Sequence, residues 1–247
     1  MSGAPDFLTT PAGRRLAFRR LEGRGPAILF LPGYMSDMAG TKALAIEAWA
    51  ARTGRAFLRF DYGGCGLSPG AFEDQRLADW RDDAVAMIDS LGARPLVLVG
   101  SSMGGWLMLL AALARPDRVA GLIGIAAAPD FTAWGFSDAD KQVIQRDGRL
   151  VEPTTYGGQP YVTTRGFWES GESLKLLERE LAIDCPVRLL HGLADPDVPH
   201  AVSLALADRL RSSDVQTILI KDGDHRLSRE QDLALLITTL SQLLERL

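Results

Sequence analysis

Two adjacent serines, Ser101 and Ser102, lie between glycines in the segment LVGSSMGGW, residues 98–106. A serine hydroxyl becomes an effective nucleophile when a neighbouring base removes its proton. Residues 100–104 fit the pattern G-x-S-x-G with Ser102 at the centre. A register centred on Ser101 would need glycine at positions 99 and 103, where valine and methionine occur. The sequence therefore predicts Ser102 as the nucleophile.

The surroundings of this motif match what such a nucleophile needs. A predicted strand, Leu96–Val99, precedes it, and a predicted helix, Trp106–Ala114, follows. The backbone at a tight strand-to-helix turn is strained, and residues without a Cβ fit beside it. The helix N-terminus also stabilises developing negative charge. The alternative is a Gly/Ser-rich turn without chemistry. A phosphate loop is a weaker rival, because neither G-x-x-x-x-G-K-[ST] nor G-x-G-x-x-G occurs.

The chain has three histidines that could serve as the base, His191, His200 and His225. His225 lies in KDGDHRL, directly after the last predicted strand, Val215–Ile220. Sites in open α/β sheets gather in the loops at the carboxyl ends of strands, which favours His225. We expect His191, at the end of its own strand, to shape a turn, and His200 to cap a helix at the surface.

An acid that orients the base should lie between the serine and the histidine, since triads on such elbows run in the order Ser, acid, His. The loop HGLADPDVPH follows the predicted strand Val187–Leu190 and contains Asp195 and Asp197. Either carboxylate could hold the imidazole in the required tautomer and stabilise it once protonated. We predict Asp195 as the acid and keep Asp197 as the alternative.

Backbone N–H groups should form the oxyanion hole of such a site. One belongs to the residue after the nucleophile, Met103, and the other comes from the loop after an earlier strand, residues 31–37. In that loop Tyr34 is the first candidate donor and Met35 the second. Loss of one such donor slows acyl transfer by about 100- to 1,000-fold. The serine motif, the acid loop and the histidine loop are each weak signals alone. They reinforce one another because each follows a different predicted strand.

Short apolar runs alternate with helical patterns along most of the chain, which predicts a mostly parallel, doubly wound α/β sheet. The runs are continuously apolar, as in strands buried on both faces. Residues 7–22 predict an antiparallel hairpin at the sheet edge. The remaining predicted strands are Ala27–Leu31, Ala56–Phe60 and Val119–Ala126, and the remaining helices are Lys42–Arg52, Leu77–Leu91, Ser203–Leu210 and Arg229–Leu247.

The segment Pro129–Ile183 interrupts this alternation, because it has no well-formed buried strand and is rich in aromatic residues. An insertion of this length in an α/β domain is often a functional lid. A small helical cap that packs its own core is the alternative. We therefore expect one domain, residues 1–247, with a cap or lid insertion at about 130–183. Its aromatic residues are Phe131, Trp134, Phe136, Tyr156, Tyr161, Phe167 and Trp168.

Composition excludes several other classes of protein. A net charge of −4 without a concentrated basic face argues against nucleic acid as a partner. Two cysteines make neither a disulfide framework nor a zinc site of the usual spacing, so we expect free thiols in a reducing compartment. The apolar stretches are broken well before the roughly 20 residues that span a membrane, and the N-terminus has no signal pattern. We expect a soluble, cytoplasmic protein without integral membrane association.

Several of these segments resemble the α/β-hydrolase superfamily. Within it they are similar to the family of the animal mitochondrial α/β-hydrolase-domain-containing protein ten, described as palmitoyl-protein thioesterases and acyl-glucuronide esterases. The resemblance extends from about Leu29 to the final helix. It is carried by LPGYMSDMAGTKALAIE, RFDYGGCGLS, LVGSSMGGWLML, RLLHGLADPDVP and DHRL.

The resemblance implies an α/β-hydrolase fold with a small cap and a triad of Ser102, Asp195 and His225. It implies a serine hydrolase that cleaves acyl esters or thioesters through an acyl-enzyme, with no cofactor and no metal. An S-acylated protein is one candidate substrate. A general carboxylesterase such as an acyl-glucuronide esterase is the alternative, followed by a non-catalytic binding protein. Residues 129–183 depart from the family pattern, and no import sequence of the animal members is recognisable, so we expect the reaction type to carry over further than substrate or location.

Overall fold

The computed structural model describes residues 4–154 and 160–247, and a single eight-stranded sheet crosses its centre. The strand order is β1-β2-β4-β3-β5-β6-β9-β10; β2 is antiparallel to both of its neighbours, β1 and β4, and all other neighbouring strands are parallel. These strands are β1 Asp6–Thr9, β2 Arg15–Leu21, β3 Arg24–Leu31, β4 Arg55–Phe60, β5 Leu96–Ser101, β6 Val119–Ile125, β9 Val187–Gly192 and β10 Val215–Ile220.

Alternating side chains of β3 show why the sheet is covered on both faces. Ile28 and Phe30 are buried in one apolar cluster, and Leu29 and Leu31 are buried in another. Each fully buried side chain of this size stabilises the fold by roughly 1.5–3 kcal/mol. The helices that cover the sheet are α1 Thr41–Thr53 and α8 Glu230–Leu244 on the first face, and α2 Leu77–Ser90 and α3 Met103–Ala114 on the second. α7, Ala201–Arg209, packs beside β10.

The structure confirms the predicted doubly wound sheet and the hairpin at its edge, where β1 pairs with β2 and β2 pairs with β4. The predicted elements differ from the observed ones only at their ends. The important difference is at the serine motif, because β5 continues to Ser101 and α3 begins at Met103. Strand and helix therefore meet at Ser102 without an intervening loop.

The segment between β6 and β9 contains short elements that cover the carboxyl end of the sheet. They are α4 Phe131–Trp134, α5 Asp138–Asp147, β7 Arg149–Glu152, β8 Tyr161–Thr164 and α6 Arg165–Ser173. The antiparallel pair β7–β8 was missed by sequence reasoning, because both strands are short and largely half exposed. Tyr156, one of the predicted aromatic residues, lies outside the described residues. A lid role for this segment stays a prediction.

Cys65 and Cys185 are both free thiols in the structure. In the ranges 4–154 and 160–247, every helix is too short or too polar to cross a lipid bilayer.

Candidate active site

Ser102 occupies a strained elbow between β5 and α3. Its φ and ψ are 55° and −123°, a combination that costs a non-glycine residue of order 1–3 kcal/mol. Backbone hydrogen bonds hold this geometry: the Ser102 N–H donates to the Ile125 carbonyl at 2.9 Å, and its own carbonyl accepts from the N–H groups of Gly105 and Ala128 at 2.8 and 3.1 Å. The strand β6 and the first turn of α3 therefore fix the serine.

The two glycines of the motif are required by close backbone approach. A Cβ on Gly104 would lie 2.1 Å from the carbonyl oxygen of Leu31, and a Cβ on Gly100 would lie 2.3 Å from that of Gly104. Backbone atoms cannot move aside as a flexible side chain can. The tight turn that raises the serine above the sheet is therefore available only with glycine at both positions.

The structure brings Ser102, His225 and Asp195 into one chain of hydrogen bonds, although 123 and 30 residues separate the bonded pairs. The Nε2 atom of His225 lies 3.0 Å from the Ser102 Oγ, and its Nδ1 atom lies 2.8 Å from Oδ2 of Asp195. An ionised carboxylate only accepts, so Nδ1 carries the proton and the serine hydroxyl donates to Nε2. This is the protonation state in which an imidazole can act as a base toward serine.

The carboxylate of Asp195 is almost completely buried and fully hydrogen-bonded. Its side chain is 1% exposed, and Oδ1 accepts from the backbone N–H groups of Asp197 and Val198 at 2.8 and 2.9 Å. Burial alone would raise the pKa of Asp195. Hydrogen bonds from His191 and His225, the electrostatic interaction with His225 and the N–H of Val198 together hold that pKa well below its ordinary value. Asp195 is therefore an anion at neutral pH.

His191 is the residue near this site that sequence reasoning missed, because we predicted that it only shapes a turn. The ring is fully buried, with Nδ1 2.7 Å from the Ser203 Oγ and Nε2 2.9 Å from the Val198 carbonyl. Its Nε2 also lies 3.4 Å from Oδ2 of Asp195. No local signal in HGLAD predicts this contact, because His191 lies in β9 and Asp195 in the loop after it. His200 is exposed at the start of α7, as expected.

Asp197, the alternative acid, is exposed beside the same pair. Its carboxylate oxygen belongs to a group with Asp195 and His225 whose potential metal-ligand atoms lie within 4.8 Å of one another. In this group Nδ1 of His225 and Oδ2 of Asp195 are hydrogen-bonded to each other, and Oδ1 of Asp195 is bonded to two backbone amides. We therefore interpret the group as part of the hydrogen-bonded series of Ser102, His225 and Asp195 and not as a metal site.

The predicted oxyanion donors, the N–H groups of Tyr34 and Met103, belong to residues that line the same cavity as Ser102. Within the described residues, neither N–H donates a hydrogen bond to the protein. The Tyr34 loop passes close to the serine, and a Cβ on Gly33 would lie 3.3 Å from the Ser101 carbonyl oxygen, slightly closer than an ordinary contact. Met35, the second candidate, has a positive φ of 49°. The oxyanion role stays a prediction.

A cavity of about 970 Å³ opens at Ser102 and has two chemically different sides. One side is polar and includes Lys42, whose Nζ donates to the Arg226 carbonyl at 2.5 Å. Burial, and then the charge of Arg226, lowers the pKa of Lys42 to about 8. The other side is largely aromatic and formed mostly by the segment between β6 and β9; it is lined by Tyr34, Phe131, Trp134, Phe136 and Tyr161.

Comparison with known proteins identifies close relatives over the whole chain. Residues 26–157 match the family described as the alpha/beta hydrolase fold. The human mitochondrial palmitoyl-protein thioesterase ABHD10 is 42% identical over 245 residues, which is 98% of this chain and 80% of that protein. Mouse alpha/beta hydrolase domain-containing protein 10 superposes with a TM-score of 0.92 at 40% identity, over 99% of both chains. A putative hydrolase from Agrobacterium vitis superposes with the same TM-score at 35% identity, over 97% and 98% of the two chains.

This comparison corrects one expectation. We expected a cytoplasmic protein, and that expectation is wrong, because the mammalian relatives with 42% identity are named as mitochondrial. Composition misled us for a physical reason: free thiols, a small net charge and interrupted apolar stretches are compatible with any reducing compartment. None of these properties distinguishes one such compartment from another.

Proposed function

The chain belongs to the α/β-hydrolase fold family, and we propose that it is a serine hydrolase that cleaves acyl esters or thioesters. The single observation that supports this most strongly is the hydrogen-bonded series Ser102, His225 and Asp195 at a strained strand-to-helix elbow. In this proposal Ser102 is the nucleophile, His225 the general base and acid, and Asp195 the group that orients the imidazole.

The first half of the proposed reaction acylates the enzyme. The Oγ of Ser102 attacks the substrate carbonyl carbon while Nε2 of His225 takes the hydroxyl proton. Negative charge develops on the carbonyl oxygen, and the N–H groups of Tyr34 and Met103 stabilise it. When the tetrahedral intermediate collapses, His225 returns the proton to the leaving thiolate or alkoxide. The acyl group is then esterified to Ser102.

The second half repeats these steps with water as the nucleophile. His225 takes a proton from water, the resulting hydroxide attacks the acyl-enzyme carbonyl, and the same two N–H groups stabilise the second oxyanion. Collapse releases the carboxylic acid and returns the proton to the Oγ of Ser102. The carboxylate of Asp195 stabilises the imidazolium that forms in both halves, and it remains ionised because its pKa is held low.

Two features favour an acyl thioester of a protein as the substrate. The relatives with 42% identity are named palmitoyl-protein thioesterases. The aromatic side of the cavity also provides the apolar surface that an acyl chain requires. The polar side, with Lys42, favours a second candidate, a carboxylesterase that acts on small esters with a polar leaving group.

Hydrolysis of paired oxygen-ester and thioester substrates, from acetyl to palmitoyl, tests this proposal, with Ser102→Ala as the blank. We expect kcat/KM to be highest for long-chain thioesters and to fall by about 10⁴-fold or more in the Ser102→Ala variant. A preference for short oxygen esters would support the carboxylesterase instead. Equal rates for wild type and Ser102→Ala would contradict the proposed nucleophile.

A further inference from the structure

An acidic side chain, Glu152, lines the aromatic side of the cavity. It lies at the end of β7, where its partner across the hairpin is Tyr161 of β8. Exposure alternates along β7: Arg149 and Val151 are exposed, whereas Leu150 and Glu152 are half-buried. Because successive side chains of a strand point to opposite faces, Glu152 occupies an inward position.

The surroundings of Glu152 supply little that neutralises its charge. In the described part of the chain, the Glu152 carboxylate has no hydrogen bond and no ion pair. Burial, and beyond it the charge of Asp140, raises the pKa of Glu152. The cavity also contains Thr163 on the same face of the hairpin and the ring of Tyr34, 6.3 Å from that of Tyr161. The cationic side chains that line the cavity, Lys42 and Arg226, belong to its polar side.

A partly desolvated carboxylate without a partner is costly, and a ligand that supplies a hydrogen-bond donor recovers part of that cost. We propose that Glu152 is a specificity-determining residue that binds a hydrogen-bond donor, an ammonium or hydroxyl group, near the distal end of the substrate's acyl group. This inference rests on the proposed serine hydrolase function. It deepens that function by predicting that a polar, donating group at the far end of the acyl chain improves the substrate.

The test compares acyl groups that differ only at their far end. p-Nitrophenyl esters from butanoyl to dodecanoyl are prepared with a terminal methyl, hydroxyl, ammonium or carboxylate group. For wild type we expect kcat/KM with a terminal ammonium to exceed that with a terminal carboxylate by about 10- to 100-fold at the best chain length. The hydroxyl ester should lie between them.

Substitution of Glu152 should change this ratio in a defined way. In Glu152→Gln the ammonium-to-carboxylate ratio should fall to within about threefold, because the amide still accepts a hydrogen bond but carries no charge. Glu152→Leu should favour the terminal methyl. A ratio measured on one enzyme preparation is unaffected by the fraction that is folded. Glu169→Gln, an exposed site on α6 in the same segment, is the matched control and should keep the wild-type ratio.

The acetyl ester separates this inference from the function on which it rests. If wild type hydrolyses the acetyl ester and Ser102→Ala does not, the hydrolase proposal stands. A flat wild-type ratio, or one that Glu152→Gln leaves unchanged, would then overturn only the role of Glu152. A preference that Glu169→Gln abolished as fully as Glu152→Gln would overturn its assignment to Glu152. Failure of wild type on every ester would overturn both.

Discussion

The imidazole of His191 faces the carboxylate of Asp195, with 3.4 Å between Nε2 and Oδ2, while His225 contacts the same oxygen at 2.8 Å. The other carboxylate oxygen, Oδ1, accepts hydrogen bonds from the backbone N–H groups of Asp197 and Val198. Asp195 therefore interacts with one histidine that reaches Ser102 and a second that is buried behind it. The second histidine links the acid to α7 through Ser203.

Replacement of His191 tests whether this buried ring positions Asp195. His191→Leu removes hydrogen bonds to Ser203 and Val198 and the contact with Asp195, so we expect a loss of about 1–3 kcal/mol in the free energy of unfolding and about a 10- to 100-fold lower kcat. Chemical denaturation and ester hydrolysis measure the two effects. His200→Leu, at an exposed site, should change neither by more than about 0.5 kcal/mol or twofold. Equal effects of the two variants would contradict the positioning role.

The two candidate acids can be separated by paired amide substitutions. Asp195→Asn removes the charge and the acceptor that selects the His225 tautomer, so we expect kcat to fall by about 10⁴-fold. Asp197→Asn keeps the backbone N–H that bonds to Asp195, and we expect less than about a threefold change. Steady-state hydrolysis of one activated ester is sufficient for the comparison. The reverse order of effects would identify Asp197 as the acid.

Two glycine substitutions should separate catalysis from stability. A Cβ at Gly33 would lie 3.3 Å from the Ser101 carbonyl oxygen and 3.4 Å from the Ser102 Cβ, so Gly33→Ala should shift the Tyr34 N–H and lower kcat by about 10-fold or more. Gly13 has a φ of +80° and open space around it. Gly13→Ala should therefore cost about 1 kcal/mol of stability without a change in kcat. Unchanged kcat in Gly33→Ala would contradict the oxyanion role of this loop.

The charge of Lys42 should make binding of anionic substrates depend on pH. Its pKa is lowered to about 8, so Lys42 is charged below that pH and neutral above it. For an ester with a carboxylate on the leaving group, we expect KM to rise by about 3- to 10-fold between pH 7 and 9, relative to a neutral analogue. Lys42→Arg stays charged throughout this range and should abolish the rise. A rise of equal size in Lys42→Arg would assign it to another group.

Much of this architecture could be predicted from the sequence, because parallel strands bring their carboxyl ends to one edge of the sheet. Loops after β3, β5, β9 and β10 therefore meet there, even though the residues they carry are far apart along the chain. The association of Ser102, Asp195 and His225 in space follows from that rule, and their catalytic roles stay predictions.

The features that could not be predicted depend on tertiary packing. His191 is buried against Asp195 because α7 packs beside its loop, and local sequence does not specify that contact. The β7–β8 hairpin has strands too short and too exposed to produce a clear apolar alternation. Glu152 had no recognisable role before that hairpin was known to direct it toward the cavity.

The most direct test of the central proposal is covalent labelling with a fluorophosphonate, read by intact mass spectrometry and peptide mapping. We expect wild type to gain one phosphonyl group on the Oγ of Ser102, because His225 activates that oxygen and no other serine contacts its Nε2 in the described residues. Ser101→Ala should label as wild type does, and Ser102→Ala should remain unlabelled. A folded wild-type protein that did not label, or an adduct on Ser101, would contradict Ser102 as the nucleophile.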